Sequence, residues 1–329
     1  MTKDDLKGFD KAVKRQEALA QNSKDLMIKT KKYFSADLKI EENEISNLKD
    51  GDELILVRAS QQRGLEIARE MERYDLAAYA LMIKAANDIA AQGGYFLSFA
   101  DQIICGEGAA DEVAKLRHYL AAAAGEAHAI YMSSSNVDVT TSIFTDGVLA
   151  AGVGFGIKRN SRAKKKLSNG DSVIGICTLS TAGIGIDIYS KVILEDMRNG
   201  VNDYIEELDE IAGEAMITPP PNYADLIQKL YDSFDINDVI PISKLGLLPD
   251  IAAVVGGEEK IKIEPSAWEY PKLTRLAQEE ANLTDDFIIK HFNAGIGLAI
   301  IVDEKVELPL LLELNEMGVE AYSIGKIIK

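Results

Sequence analysis

The sequence predicts a two-domain protein of the α/β (α+β) class. Strand-like and helix-like patterns alternate along the chain in two successive series, which indicates two mixed halves. A polar, basic stretch at 158–169 separates the two series, and 329 residues are enough for two cores of ordinary size. Apolar residues make up 47% of the chain and charged residues 27%, as in folded globular proteins. We therefore expect an N-terminal helical extension at 1–45, a first domain at 46–165 and a second domain at 166–329.

The first domain begins with a strand pattern followed by a long helical pattern. Leu54–Val57 is a short apolar run of strand length, and helical spacing then continues through Ile67 and Met71 to Ala91. The glycine pair at 93–94 is expected to end this helix, since glycine favours the conformation found just after a helix. The further predicted elements are a strand over 95–104, a helix over 111–127, and strands around 129–131 and 148–157.

The second domain opens after a connection in which Lys164–Lys166 lie among Ser, Asn and Gly, a composition typical of a solvated loop. Gly170 and Asp171 form a turn that leads into an apolar strand. The patterns from there on predict a strand over 173–176, helices over 188–197 and 222–234, a strand over 297–302, a helix over 308–316 and a last strand over 321–328.

In the N-terminal extension, apolar residues such as Leu6, Phe9 and Val13 are spaced near the helical period. This spacing predicts an amphipathic helix over 1–34. It carries nine Lys or Arg residues and five acids, inside a chain whose net charge is −17. Two interpretations stay open: the helix docks on the chain's own acidic surface, or it binds a partner.

Composition and charge restrict the class of protein. A net charge of −17 argues against nonspecific nucleic-acid binding, because the chain and a phosphate backbone repel each other. Cys105 and Cys177 both lie in apolar stretches, so we expect two buried thiols rather than a disulfide or a cysteine metal site. The N-terminal residues lack the apolar core of a signal peptide, and no run of 18 apolar residues suggests a membrane helix. We expect a cytoplasmic protein with no membrane association.

Short motifs in both predicted domains occur in the order and spacing of a known family. They are, in chain order, Asn87-Asp88-Ile89 with Gln92-Gly93, Gly170-Asp171, Thr218-Pro219, Trp268 with Pro271, Phe292-Asn293 with Gly295 and Gly297, and Gly318 with Tyr322, Ile324 and Gly325. Over about residues 50–329 the chain resembles the aminoimidazole ribonucleotide (AIR) synthase family, whose enzymes are phosphoribosylformylglycinamidine cyclo-ligases. The wider superfamily includes thiamine-monophosphate kinase, selenophosphate synthetase, the hydrogenase maturation dehydratase and the formylglycinamidine ribonucleotide amidotransferase.

The resemblance implies an architecture and a chemistry. In the family, the N-terminal sheets of two chains pair into a closed barrel, so a homodimer is expected here. The family enzymes use ATP and Mg²⁺ to activate an amide or acid oxygen as a phosphorylated intermediate. Their site is the cleft between the two domains, which would then bind a nucleotide or another small phosphorylated molecule.

The chain departs from the family at the positions that carry this chemistry. Ala59, Ala80 and Ser135 stand where the family has carboxylates, and Gly64 stands where it has a lysine. Mg²⁺ needs carboxylate or other oxygen ligands, and phosphate transfer needs cations, so these roles are vacant at those positions. Leu245 replaces a glycine of the family's phosphate-type loop and is expected to close the approach to that loop.

The remaining polar residues at family motifs are the candidate ligand-binding residues, and no catalytic residue is assigned. Asp88 is the one candidate for a metal ligand, and an alternative is that Asn87 and Asp88 only hydrogen-bond backbone groups. The turn at 182–186, which precedes a helical pattern, is a second candidate for receiving a phosphate. The candidate binding residues are Arg58, Ser60, Arg63, Asn87, Asp88, Gln92, Asn136, Asp138 and Asn293.

Three functional hypotheses follow. The first is an AIR-synthase-like protein that has lost the ordinary ATP- and Mg²⁺-dependent cyclo-ligase chemistry and acts as a small-ligand-binding, regulatory or assembly protein. The second is an active ATP-dependent ligase or kinase of the superfamily, with a site rebuilt around Arg58, Arg63, Asp88 and Asp138. The third is a partner scaffold that binds through its basic N-terminal helix.

Overall fold

A computed structural model describes residues 39–41, 44–46, 51–132, 138–139, 147–158 and 165–328, with the backbone alone at 39–41, 44–46 and 138–139. The predicted helix over 1–34 lies outside these residues. The strands are β1 Lys39–Glu41, β2 Glu44–Ser46, β3 Glu53–Ser60, β4 Tyr95–Cys105, β5 Ile130–Met132, β6 Asp138–Val139, β7 Val148–Lys158, β8 Ser172–Cys177, β9 Tyr204–Ile205, β10 Glu210–Ile211, β11 Ile236–Pro241, β12 Ile261–Ile263, β13 Ile296–Val302 and β14 Ala321–Ile327.

The helices of the described residues are α1 Gln62–Glu70, α2 Tyr74–Ala91, α3 Ala110–Glu126, α4 Ile186–Tyr189, α5 Ala212–Ile217, α6 Ala224–Ser233, α7 Leu247–Val255, α8 Lys272–Ala281, α9 Asp285–His291 and α10 Glu304–Glu316. A π-helical segment, Ser190–Asp196, continues α4. The mixed α/β class predicted from the sequence is confirmed.

The first sheet has the strand order β3-β7-β4-β5, with β6 beside β4. Strand β7 is antiparallel to both β3 and β4, whereas β5 and β6 run parallel to β4. Along β3 the residues alternate between buried and exposed, as expected for a sheet with one covered face. Helix α2 covers that face closely: a Cβ added at Gly156 of β7 would lie 2.4 Å from Ile89 Cγ2.

The long helical pattern after β3 forms two helices, so the prediction of one continuous helix was wrong. Helix α1 ends at Glu70 and α2 begins at Tyr74. Glu72 between them has a φ of 58°, and the N–H of Arg73 donates to the carbonyl of Ala68. A non-glycine residue rarely adopts this left-handed conformation, which is why the spacing of apolar residues did not reveal the break.

The second sheet has the order β11-β13-β8-β14-β12, and every neighbouring pair is antiparallel. All seven residues of β13, an interior strand of this sheet, are buried. The glycines of this region permit close packing: a Cβ added at Gly297 would lie 2.2 Å from the hydroxyl of Tyr223. Trp268 Nε1 donates to the carbonyl of Ala294 at 2.7 Å, which fixes the start of the strand.

One stripe of α2 joins the first half (53–158) to the second half (172–327). Residues three or four apart on a helix lie on the same face, and hydrogen bonds to the second half recur along one such face. They join Lys84 to Ser243, Asn87 to Pro221 and Tyr223, the carbonyl of Ala91 to Tyr231, and the carbonyl of Gly94 to Gln228. These hydrogen bonds therefore hold α2 beside α6, the segment that precedes α6 and the loop that follows β11.

None of the helices in the described ranges combines the length and the apolar character that a membrane span requires.

Candidate functional site

A cleft of about 240 Å³ lies where the first half meets the second. The end of β3, α1 and one face of α2 form one wall, and the loops after β8 and β11 form the other. Its lining residues are Ser60, Gln61, Gln62, Arg63, Gly64, Ala80, Leu81, Lys84, Ala182, Gly183, Ile184, Ile186, Asp187, Pro220, Ser243 and Lys244.

The carboxamide of Gln61 occupies part of this space. A Cβ added at Gly64 would lie 2.9 Å from the Gln61 side chain, and one at Gly183 would lie 3.2 Å from Gln61 Nε2. The two glycines therefore leave room for the Gln61 side chain between the walls. Leu245, expected to close the approach, is 66% exposed and does not line the cleft, so that expectation was wrong.

Lys84 is the most buried charged group in the wall of the cleft. Its Nζ donates to the carbonyl of Ser243 at 2.7 Å and to Ser243 Oγ at 2.6 Å, and it lies 3.7 Å from Asp88 Oδ2. Burial lowers the pKa of Lys84, and the neighbouring Asp88 carboxylate opposes that shift. Burial likewise raises the pKa of Asp88, against the effect of Lys84. The ammonium and the carboxylate thus partly compensate each other's loss of water.

The loop that receives Lys84 is held by the carboxylate of Asp250. Asp250 Oδ2 accepts from the N–H groups of Ser243 and Lys244, both at 2.9 Å, and Oδ1 accepts from that of Leu245 at 3.0 Å. Asp250 lies in the first turn of α7, where a carboxylate is stabilised by the helix dipole. Because these three N–H groups are occupied, an anion in the cleft would meet side chains of this loop rather than its backbone donors.

Backbone N–H groups of the turn at 182–186 are likewise already bonded to side chains of the same loop. Ser180 Oγ accepts from the N–H of Ala182, and Thr181 Oγ1 accepts from the N–H of Gly183. The α-helical part of α4 spans only four residues and carries Asp187 in its first turn. These bonds and this carboxylate make the turn a poor phosphate receptor, in contrast to the expectation from its position before a helix.

Two of the nine predicted binding residues line the cleft, Ser60 and Arg63. Arg63 Nη1 lies 2.9 Å from Glu66 Oε2, and its Nε lies 4.0 Å from Asp187 Oδ1. Asp88 lies behind Lys84 and does not itself line the cleft. Asn87 is engaged with the second half: its Oδ1 accepts from the N–H of Tyr223 at 2.8 Å and its Nδ2 donates to the carbonyl of Pro221 at 2.9 Å.

The other predicted binding residues lie away from the cleft or outside the described side chains. Arg58 is exposed on β3 but is not among the lining residues. Gln92 follows α2 and donates to the carbonyl of Asp88, and the buried Asn293 donates to the carbonyl of Ser180. Asn136 lies outside the described residues, and only the backbone of Asp138, in β6, is described.

The residues of the cleft do not fit a Mg²⁺ ion. Its lining contains one carboxylate, Asp187, and three cationic side chains, Arg63, Lys84 and Lys244. Mg²⁺ is held through carboxylate and water oxygens, and cations repel it. In the part of the chain that the structure describes, no three His, Cys, Asp or Glu side chains are grouped so as to hold a metal ion.

Sequence reasoning missed Lys84 and Lys244. Lys84 was detectable in part, because it is the one basic residue of the otherwise largely apolar α2 and precedes Asp88 by four positions. Lys244 had no comparable signal, since it lies in a loop whose contacts with the first half are distant in sequence. Gln61 was expected as a side chain that could plug the cleft, and it lies among the lining residues.

No protein-family model matches the chain. Among curated proteins, the chain is 27% identical over 287 residues to the phosphoribosylformylglycinamidine cyclo-ligase of Syntrophus aciditrophicus, covering 86% of this chain and 83% of that protein. It is 24% identical over 287 residues to the enzyme of the same name from Alkaliphilus oremlandii, covering 86% and 84%.

Solved structures share the fold. Thiamine-monophosphate kinase from Stenotrophomonas maltophilia aligns with a TM-score of 0.69 at 12% identity, over 92% of each chain. Escherichia coli HypE aligns with a TM-score of 0.64 at 18% identity, over 94% of this chain and 90% of HypE. A structure of hydrogenase maturation protein HypE in complex with ATP aligns with a TM-score of 0.62 at 14% identity, over 90% and 83%.

Sequence similarity to the cyclo-ligases extends over most of both chains, and the kinase and HypE structures have the same fold. By these comparisons the chain is similar in sequence to the cyclo-ligases of the AIR synthase superfamily and shares the fold of the other two proteins.

Proposed function

We propose that this protein binds a small phosphorylated molecule or a nucleotide in the cleft and does not carry out the ordinary Mg²⁺-dependent cyclo-ligase reaction. The observation that carries this proposal is the charge of the lining, where three cations face a single carboxylate. Such a surface attracts an anion and repels a divalent metal. In this reading the protein acts as a binding, regulatory or assembly protein.

Two replacements support the loss of metal chemistry. Ala80 lines the cleft at a position where the family resemblance implies a carboxylate, and Lys84 follows it one helical turn later. Ala59, at another such position, is buried against the core of the first half. By the resemblance, a carboxylate is therefore missing at two positions of the fold, and a cation lies one helical turn from one of them.

The alternative is an active ATP-dependent enzyme of the superfamily with a rebuilt site. The names of the cyclo-ligase relatives and the ATP complex of HypE favour testing this alternative directly. Arg63 in the cleft and Asp88 behind it are the residues such a site would use.

Calorimetric titration of the full chain with ATP, ADP and AMP, each in EDTA and in excess Mg²⁺, separates the two. We expect at least one nucleotide to bind equally in both buffers, with no phosphate released from ATP. Binding that requires Mg²⁺, together with phosphate release, would establish the alternative. A folded protein that binds none of the three would contradict both.

We also propose that the functional unit is a homodimer formed through the outer face of the first sheet. Leu54 and Leu56 of β3 are 50% and 63% exposed, and Leu56 lies opposite the half-buried Phe155 of β7. An apolar sheet face beside an edge strand is costly to leave in water, and pairing with a second copy would cover it.

Sedimentation equilibrium tests the dimer. The wild type is expected to be dimeric at micromolar concentration, and Leu56→Lys is expected to be a folded monomer. The matched variant Leu312→Lys, at a similarly exposed leucine of α10, should leave the mass unchanged. A monomeric wild type would contradict the proposal.

A further inference from the structure

We infer that the cleft binds the phosphate group of its ligand directly through the ammonium groups of Lys84 and Lys244, with no divalent cation between them. This inference rests on the proposed function, because it specifies how the same cleft recognises its ligand. It makes Lys84 the residue that determines the metal independence of binding.

The ammonium group of Lys84 has partners of two kinds. Two of its three N–H groups have acceptors in Ser243, its carbonyl and its Oγ. The carboxylate of Asp88 forms an ion pair with the same ammonium, and its Oδ2 lies 3.7 Å from Nζ. Because that distance is longer than a direct hydrogen bond and Lys84 lines the cleft, we expect a phosphate oxygen to share this ammonium with Asp88.

The ammonium group is also fixed in place before any ligand arrives. The side chain of Lys84 is 14% exposed, and its acceptor Ser243 lies in the loop whose N–H groups are bound by Asp250. A lysine on the surface loses rotamer freedom when it binds an anion, whereas a cation held in this way has already lost most of that freedom. The same fixed position keeps a positive charge in the wall of the cleft, at the side where Ala80 leaves no carboxylate.

Lys244 supplies a second cation from the opposite half. It is exposed, lines the cleft, and has no ion-pair partner within the described ranges. Arg63, by contrast, already pairs with Glu66. In a chain of net charge −17, Lys244 and the partly compensated Lys84 place two cationic donors in one cleft, where a small anion can contact both.

Titration calorimetry of the full-length protein with inorganic phosphate and with AMP, in EDTA and then in excess Mg²⁺, tests the inference. For the wild type we expect the dissociation constant to change by less than about twofold between the two buffers. Lys84→Met, which keeps the length of the side chain, should weaken binding roughly tenfold or more, as the loss of a charge-assisted hydrogen bond does. Lys244→Met should weaken it severalfold, and the control Lys229→Met, at an exposed position of α6, should not change it.

The outcomes distinguish this inference from the proposed function. If the wild type binds neither probe nor any nucleotide, the proposed function fails. If the wild type binds them and both lysine variants bind equally well, the cleft keeps its proposed function but the inference is wrong. Binding that appears only with Mg²⁺ also overturns the inference. Should Lys84→Met fail to fold in a thermal melt, the exposed Lys244→Met decides, and unchanged binding by that variant contradicts the inference.

Discussion

The two sheets of this protein differ in how many of their faces the chain itself covers. In the second sheet, every residue of β13 is buried, so both faces pack against the same chain. In the first sheet, α2 covers one face, while Leu54 and Leu56 are exposed on the other. The comparison teaches that the chain itself covers both faces of β13, whereas it leaves apolar side chains of β3 exposed on one face of the first sheet.

The largest expected effect comes from a matched pair of truncations, one in each sheet. Ile300 of β13 lies between Val239 and Ile174 and is fully buried, so Ile300→Ala should lower the free energy of unfolding by about 2–5 kcal/mol. Leu56→Ala, measured at a concentration where the protein is monomeric, should change it by less than about 0.5 kcal/mol. Urea unfolding measures both. If Ile300→Ala and Leu56→Ala lowered the free energy of unfolding of the monomer by equal amounts, the two sheets would not differ in how the chain covers them.

A smaller loss of stability is expected from removing a side chain of α2 that joins the two halves. Asn87→Ala removes two hydrogen bonds to the second half and leaves the N–H of Tyr223 and the carbonyl of Pro221 unpaired, which should cost about 1–3 kcal/mol. The control Asn315→Ala, at an exposed position of α10, should stay within about 0.5 kcal/mol.

The same variant tests whether the halves unfold together. The single tryptophan of the chain, Trp268, is buried in the second half, so its fluorescence follows that half, while circular dichroism follows the whole chain. We expect the two urea transitions to coincide in the wild type and to separate in Asn87→Ala. Coincident transitions in the variant would mean that Asn87 does not couple the halves.

The smallest change in the free energy of unfolding is expected for the contacts of Glu112, which lie on the helix-covered side of the first sheet. Glu112 of α3 accepts from Arg69 Nε at 2.6 Å and from the hydroxyl of Tyr74 at 2.8 Å. Burial raises the pKa of Glu112, but these hydrogen bonds outweigh burial and hold it below the ordinary value of 4.5. Glu112→Gln should cost about 1 kcal/mol near neutral pH, since solvent screens the partly exposed Arg69.

The sign of the pH dependence follows from the lowered pKa. The folded state binds the proton of Glu112 less readily than the unfolded state, so the contact stabilises the protein above pH 4.5 and is lost as pH falls below it. The difference in stability between the wild type and Glu112→Gln should therefore shrink on acidification. A difference that grows toward low pH would contradict this assignment. The control Glu66→Gln, at an exposed ion pair with Arg63, should change the free energy of unfolding near neutral pH by less than about 0.5 kcal/mol.

Much of the fold was predictable from local sequence patterns. The helix expected over 111–127 is Ala110–Glu126, and the strand expected over 297–302 is Ile296–Val302. Both have apolar residues at the spacing of their own element. The boundary between the predicted domains at 165 and 166 stays a prediction, although each five-stranded sheet lies within one of them.

Other elements were not predicted. Helix α7 is a short apolar run with Pro249 in its first turn, which resembles a strand or loop as readily as a helix. Helices α5 and α9 are short, and short helices are stabilised by packing rather than by their own spacing. Helix α8 was overlooked, although its buried Leu273, Leu276 and Ala277 have the spacing of one helical face. The break at Glu72 likewise depends on one residue whose conformation the sequence does not reveal.

The candidate site was predicted in outline. The family resemblance indicated a cleft and placed Ser60 and Arg63 beside it, and both line it. It could not indicate that the amide of Asn87 would be taken up by the second half, or that Lys84 would reach Ser243, which is 159 positions away. Those contacts depend on which face of α2 meets the second half.

By itself, the sequence determined the class of the fold and the resemblance to the AIR synthase superfamily, because periodicity and residue identity are local properties. Only the tertiary structure decided that Lys84, Lys244 and Arg63 share one cleft and that Asp250 fills the backbone donors of the facing loop. The physical reason is that the charge of a cleft is summed over groups brought together by packing, and burial then sets the strength of each interaction.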